Sequence, residues 1–224
     1  VSVGGSVSEI VAALGAEDRL IARDSTTLFP PALTALPDVG YVRALSPEGV
    51  LSVGPDMILA EEGAGPVEAV EALQQVGIPF ISIPEAPTAE GVLAKIRAVG
   101  AALDIDAEPL ASKVAQGFER AAAAREGVTT PKKVLFVLSM QGGRIMAGGE
   151  DTAAGGIIAL AGGANAATGF HGYKQKTDEA VLTAAPDVIV MMDRGGDHGT
   201  ADAELFAHPA LASSPAAKDG AVVR

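Results

Sequence analysis

A twenty-residue stretch occurs twice in this chain, and the second copy restricts the fold more than any other feature. The first runs Gly40-Tyr41-Val42-Arg43, then Glu48, then Pro55-Asp56 before Ile58-Leu59; it returns as Gly172-Tyr173-Lys174, Glu179, Pro186-Asp187 and Ile189-Val190. In each copy a glutamate precedes the Pro-Asp pair by seven residues, a short amphipathic stretch fills the gap, and an apolar strand follows. The repetition predicts two equivalent lobes. Each copy also sets a phenol and a cation just upstream of its helix. A ligand cleft between facing lobes would receive such groups from both sides, and that cleft is the candidate site.

At 224 residues the chain has room for one large domain or two smaller ones, with buried cores in either case. Apolar residues make up 48% but aromatic ones only 4%, so the cores are built from Ala, Val, Leu and Ile, which suits helices packed on parallel strands. A net charge of −12 excludes nucleic acid or an anionic membrane surface as the main partner. Any anionic ligand must be held by local cations. With no cysteine there are no disulfides, thiolate metal ligands or cysteine nucleophiles. The longest uncharged run, residues 152–173, is long enough to span a bilayer, but it is crowded with glycine and contains Asn165 and His171. It reads as a packed helix and loop, not as a membrane span. The first residue is Val1, so the lack of a signal peptide here carries no information. Residues 221–224 read as a strand, an unusual place for a doubly wound lobe to stop, and a further helix is expected beyond them.

Residues 1–3 read as a strand that turns at Gly4-Gly5, with Ser6 capping a helix over residues 7–14. Neither G-x-G-x-x-G nor G-x-x-x-x-G-K-[ST] is present, which argues against a phosphate cradle. Residues 20–22 read as a second strand, and a proline-rich loop leads to Tyr41. After the first copy come a helix over residues 67–76, a strand over 79–83 and a helix from Thr88 to about residue 103. Pro109 fits the first turn of a separate helix reaching about residue 125, because proline inside a helix costs about 3 kcal/mol. The resulting class is α/β: two doubly wound lobes, residues 1–106 and 128–224, joined by a single bridging helix over residues 107–127. One helix resists bending, so closure on a ligand is expected to be small. The second lobe reads as a strand over residues 134–138, a glycine-rich loop at Gln141-Gly142-Gly143, a turn at Gly148-Gly149 and a helix over residues 152–161. The second copy follows, then a strand over 188–192, a flexible loop at Asp193-Arg194-Gly195-Gly196-Asp197, and a helix over 206–217 with Pro209 in its first turn.

Tyr41 is one of two tyrosines and reads either as a packing residue or as a phenolate metal ligand. Arg43, two residues on, lies on the same side of an extended segment; it either favours the ionised phenol and holds an anionic ligand, or is a solvated charge. Met140, Arg144, His171 and Tyr173 are the second-lobe candidates. Met140 follows a strand and precedes glycines, a usual place for a ligand loop in an open α/β sheet, or else it fills a gap in the core. His171 reads as a loop histidine or a ligand. His198 and His208 have no spacing that matches a zinc or manganese site. Glu48 and Glu179 occupy equivalent places at the starts of short helices, where a carboxylate favours the helix dipole; their pairing allows a second reading as docking points. No Ser-His-Asp set or carboxylate dyad emerges, so the chain is not read as an enzyme.

At these residues the chain resembles the class III substrate-binding proteins of bacterial ABC importers, which serve cobalamin, ferric siderophores and haem. The likeness spans Gly5-Ser6 to Ile10, both repeat copies and the bridging helix. Leu36-Pro37-Asp38-Val39-Gly40-Tyr41-Val42-Arg43-Ala44-Leu45-Ser46-Pro47-Glu48-Gly49 is similar to the haem-binding members, as are Leu138-Ser139-Met140-Gln141-Gly142-Gly143 and Gly169-Phe170-His171-Gly172-Tyr173-Lys174. The resemblance implies that Tyr41 is the axial iron ligand, that Arg43 supports it, and that Met140, Arg144, His171 and Tyr173 line the haem site. It implies that Glu48 and Glu179 meet arginines of the permease. Some relatives carry a histidine where Met140 stands, so the iron is either five-coordinate or bound a second time by His171, and one or two haems are allowed. The implied protein is an exported monomer, periplasmic or anchored at the cell surface, with haem as its transported ligand and an ABC permease as its partner. A ferric siderophore or a corrinoid is the alternative cargo. A nucleotide-using α/β enzyme is the alternative of another class.

Overall fold

The structure, a computed structural model, describes residues 1–192 and 202–224, and the chain divides into two compact units, Val1–Gly117 and Phe118–Arg224. The expected loop at Asp193-Arg194-Gly195-Gly196-Asp197, and His198, lie outside the described residues.

The first unit is a parallel sheet with helices. Its elements in order are β1 (Ser2–Val3), α1 (Gly5–Ala13), α2 (Pro47–Leu51), β2 (Ile58–Glu61), α3 (Val67–Gln75), β3 (Phe80–Ile83), α4 (Ala89–Leu103) and α5 (Glu108–Ala124). Helix α5 begins in this unit and ends in the second. The strands pair in parallel in the order β1-β2-β3, with Ser2 opposite Leu59 and Leu59 opposite Ile81. Val3, Ile58, Leu59 and Ile83 are all buried, as expected of strands covered on both faces. One apolar cluster gathers Val39, Val42, Leu45, Val50, Ile58 and Leu73; another gathers Val7, Val11, Leu59, Ile83 and Val99.

Two expectations fail here. Helix α1 starts at Gly5, with Gly4 at its cap and no side-chain cap bond; the Ser6 hydroxyl instead donates to Glu61 Oε2 at 2.8 Å. Residues 20–22 do not form a strand. Single parallel bridges at Arg23 and Asp38 take the place of one, extending the sheet outward from Ser2.

The second unit is built on β4 (Lys133–Gln141), β5 (Arg144–Gly148), α6 (Ala153–Leu160), β6 (Ala164–Asn165), β7 (Tyr173–Lys176), α7 (Asp178–Ala184), β8 (Val188–Met191), α8 (Asp202–Ala207), α9 (Pro215–Asp219) and β9 (Val222–Val223). Its strand order is β7-β5-β4-β8-β9, with β6 also on β4. The first half of β4 pairs in parallel with β8, and its second half turns back on β5 in an antiparallel hairpin. The glycine-rich loop is therefore a two-residue hairpin turn. Gly142 and Gly143 both take positive φ, 57° and 71°, as the tight turn joining right-twisted strands demands. The helix expected over residues 206–217 is two short ones, α8 and α9, since neither Pro209 nor Pro215 can donate within a continuous helix.

Candidate functional site

The Tyr41 loop is assembled at the edge of the first sheet by backbone bonds. The Arg23 amide donates to Pro37 O (3.0 Å) and Val39 donates to Arg23 O (2.9 Å), laying residues 37–39 parallel to the strands. Arg23 also pairs with Asp38, Nη1 to Oδ2 at 2.8 Å, while Asp38 Oδ1 accepts from the Gly40 amide at 2.8 Å. Gly40 then takes φ 102°, a region that disfavours a Cβ, and its carbonyl accepts from Ser25. This bend delivers Tyr41 beyond the carboxyl ends of the strands, where open α/β sheets place ligands.

The chain turns here, with the Ala44 amide donating to Tyr41 O at 2.8 Å, so every third residue rather than every second is buried. Val42 and Leu45 turn into the core with Val39, whereas Tyr41 and Arg43 face outward, Tyr41 with 48% of its surface exposed. Two bonds clamp the segment to the loop after β2: Gly65 N–H to Val42 O at 2.9 Å and Leu45 N–H to Gly65 O at 2.8 Å. Arg43 Nη1 passes 3.7 Å from where Gly63 would carry a Cβ. Among the described residues neither the Tyr41 hydroxyl nor the Arg43 guanidinium has a protein partner. A phenol and a cation held on a rigid loop, both unspent, suit a metal centre in an anionic ligand.

Sequence reasoning missed a buried cluster in the same unit. Lys95 of α4 is only 5% exposed; its ammonium donates to Ser6 Oγ at 2.8 Å, lies 3.5 Å from Glu61 Oε2 and pairs with Glu85. Burial pushes the Lys95 ammonium below the usual lysine range, with Glu61 opposing the shift. The cluster ties α1, the end of β2 and α4 together. Nothing in the amphipathic pattern of α4 distinguishes this lysine from a solvated one.

In the second unit, register decides which candidates share a face. Arg144 stands opposite Gln141, Met146 opposite Gln175, and Gly148 opposite Tyr173. Alternate residues of a strand share a face, so Arg144, Met146 and Tyr173 belong to one side of the β4-β5-β7 ribbon. Tyr173 is 42% exposed and meets Phe136 edge to face at 6.2 Å. Arg144 is exposed at the start of β5. Met140 pairs with Ile145 on the other side and packs against the core that holds Leu135, Val137 and Ile145. It is a strand residue on the core face rather than a loop residue.

His171 precedes β7 and is bridged to Glu150. Its Nδ1 lies 2.7 Å from Asp151 Oδ2 and its Nε2 3.9 Å from Glu150 Oε2, with the ring largely exposed. When Nδ1 carries the proton it donates to Asp151, the tautomer that leaves Nε2 a lone pair for a metal.

Glu48 and Glu179 are the second residues of α2 and α7, each after a capping hydroxyl. Ser46 Oγ accepts from Gly49 N–H and donates to Glu48 Oε2 at 2.9 Å; Thr177 Oγ1 accepts from Ala180 N–H at 3.2 Å. Both carboxylates are exposed. The repeated Pro-Asp pair has a structural role in the second copy, where Asp187 Oδ2 accepts from the Lys133 amide at 2.7 Å and secures the start of β4 against β8.

Comparison with known proteins gives consistent matches. The model of the periplasmic binding protein family matches residues 1–224. The apo periplasmic haem-binding protein RhuT from Roseiflexus sp. RS-1 superposes with a TM-score of 0.92 at 33% identity, covering 99% of this chain and 86% of that one. The periplasmic haem-binding protein BhuT in complex with two haems gives 0.88 at 39% identity, covering 99% and 87%. Among curated relatives, the ABC transporter substrate-binding lipoprotein YvrC of Bacillus subtilis is 26% identical over 198 residues, 86% of this chain and 63% of its own length. The vitamin B12-binding protein of Photorhabdus laumondii is 26% identical over 215 residues, 94% of this chain and 76% of its own.

Proposed function

The chain belongs to the periplasmic binding protein family, and from that premise we propose that it captures haem outside the cytoplasm and delivers it to the permease of a bacterial ABC importer. The family is one of substrate-binding transport proteins, so the alternative of a nucleotide-using enzyme falls away. The observation that carries the haem reading is the Tyr41 loop: an exposed phenol and the Arg43 guanidinium, both without a protein partner among the described residues, on a segment pinned by backbone and side-chain bonds. A phenolate is a hard anionic ligand that favours ferric over ferrous iron. Arg43 stabilises that anion and offers a charge to a haem propionate.

In the second unit Arg144 offers a further cation to a propionate, and the exposed ring of Tyr173 offers a flat contact to the macrocycle. His171, oriented by Asp151, is the candidate for a second iron ligand; Met140 serves packing. Glu48 and Glu179, exposed at the starts of their helices, are assigned to docking on the permease.

Corrinoid transport is the second reading, favoured by the likeness to vitamin B12-binding proteins. Titration of the purified protein with hemin, cyanocobalamin and a ferric siderophore separates the cargoes. Saturable hemin binding with a sharpened Soret band is expected. Saturable cobalamin or siderophore binding with none of hemin would replace the proposal.

A further inference from the structure

His208 belongs to none of the groups assigned above, yet it is 7% exposed and both of its ring nitrogens are used. The Ala210 amide donates to Nδ1 at 3.2 Å, so Nδ1 is the bare nitrogen and the proton sits on Nε2. Nε2–H then donates to the carbonyl oxygen of Gly143 at 2.8 Å, across 65 residues of sequence. Gly143 is the second turn residue of the β4-β5 hairpin, and the next residue is Arg144.

The anchor itself is fixed. Leu205 and Leu211, on either side of His208, are completely buried in the core beneath the sheet. The His208 carbonyl accepts from the amides of Leu211 and Ala212, both at 2.9 Å, and its own amide donates to Leu205 O. Among the described residues, the turn it holds is restrained by the ladder pairing of Gln141 with Arg144 and by this bond. Gly142 and Gly143 have no side chains to pack, and a Cβ at either would meet nothing within 4 Å. A hairpin tip made of two glycines is the part of the ribbon freest to move, and Arg144 leaves from it.

We propose that His208 is a positioning residue for the ligand site: its imidazole clasps the glycine turn and so fixes the direction in which Arg144 presents its guanidinium to a carboxylate of the cargo. The proposal rests on the assignment of Arg144 to the haem site. His208 itself touches no ligand. A guanidinium fixed before binding loses less freedom when it pairs, so the clasp acts on affinity through Arg144.

The test combines two readouts. Amide hydrogen exchange at residues 142–144 of the ligand-free protein reads the clasp without reference to any cargo. His208→Phe, which keeps a ring but cannot donate, should speed that exchange about tenfold or more, while His208→Gln, which retains a donor, should stay near the parent. Hemin titration reads the consequence: His208→Phe should weaken binding about three- to tenfold, and in an Arg144→Ala background the same change should have no further effect. Unchanged exchange in His208→Phe overturns the clasp. Faster exchange with a hemin loss that adds fully to that of Arg144→Ala overturns action through Arg144 and leaves a purely structural histidine. If the parent protein binds no hemin, the haem reading fails and the ligand half of the inference with it, while the exchange data still decide the clasp.

Discussion

Asp38→Ala tests whether the Tyr41 loop is held as rigidly as its bonds imply. The substitution removes two contacts at once, Oδ2 to Arg23 Nη1 and Oδ1 to the Gly40 amide, both 2.8 Å. Hydrogen bonds to a charged group contribute about 1.5–3 kcal/mol when shielded, and exposed ion pairs about 0–1 kcal/mol. Arg23 is 13% exposed and Asp38 42%, so the pair falls between these limits, near 1 kcal/mol. The carboxylate-to-amide bond adds about 1 kcal/mol more. The total, about 2 kcal/mol, lowers the melting temperature by roughly 4–8 °C for a chain of this size. Asp38→Asn keeps an oxygen for Gly40 and loses only the ion pair, so it should fall about halfway. Urea unfolding followed by far-ultraviolet circular dichroism measures both variants. Hemin affinity should drop in the same order, because the bend at Gly40 aims Tyr41. Parent-like stability in Asp38→Ala, or an alanine variant no worse than the asparagine one, would refute the bond-by-bond account.

The remaining predictions address delivery and the buried lysine. Charge reversal at Glu48 and Glu179 together should leave hemin affinity unchanged while abolishing stimulation of a reconstituted permease, since juxtaposed like charges cost several kcal/mol across an interface. Equal stimulation by the double variant and the parent would reduce both glutamates to helix-terminus partners worth about 0.3–1 kcal/mol each. Lys95 has a folded pKa below its unfolded one, so between the two values the unfolded chain binds the extra proton. Its contribution to stability is therefore complete above the unfolded pKa of about 10.4 and is lost as pH falls through the lowered folded value. Urea unfolding of the parent as pH approaches about 10.4 from below should show stability from this group rising with pH, a slope that Lys95→Met lacks.

The repeat was legible because its structure is local. A capping hydroxyl, Glu at the second helical position and a Pro-Asp pair before an apolar run together define α2 with β2 and α7 with β8, and each signal lies within a dozen residues. The exposure of Tyr41 and Arg43 rests on an equally local pattern, since Val39, Val42 and Leu45 are buried at every third position and leave the phenol and the cation outside. The β4-β5 hairpin was not legible. Its Gly142-Gly143 turn is a known hairpin signal, but β7, the strand that completes the ribbon, reads Tyr-Lys-Gln-Lys and lacks apolar alternation because it lies at a sheet edge facing solvent. Met140 was consequently placed in a loop. The contacts of Lys95 with Ser6, and of His208 with Gly143, join residues 89 and 65 positions apart, and no local pattern encodes them.

In the proposed haem complex the Tyr41 oxygen binds iron, and the spectrum of that complex reads this bond. The parent protein mixed with hemin should show a ferric spectrum with the charge-transfer bands of tyrosinate ligation. Tyr41→Phe keeps the ring and removes the oxygen, so those bands should vanish and affinity should fall. An unchanged spectrum in Tyr41→Phe would contradict the assignment and move the ligand to Tyr173 or His171.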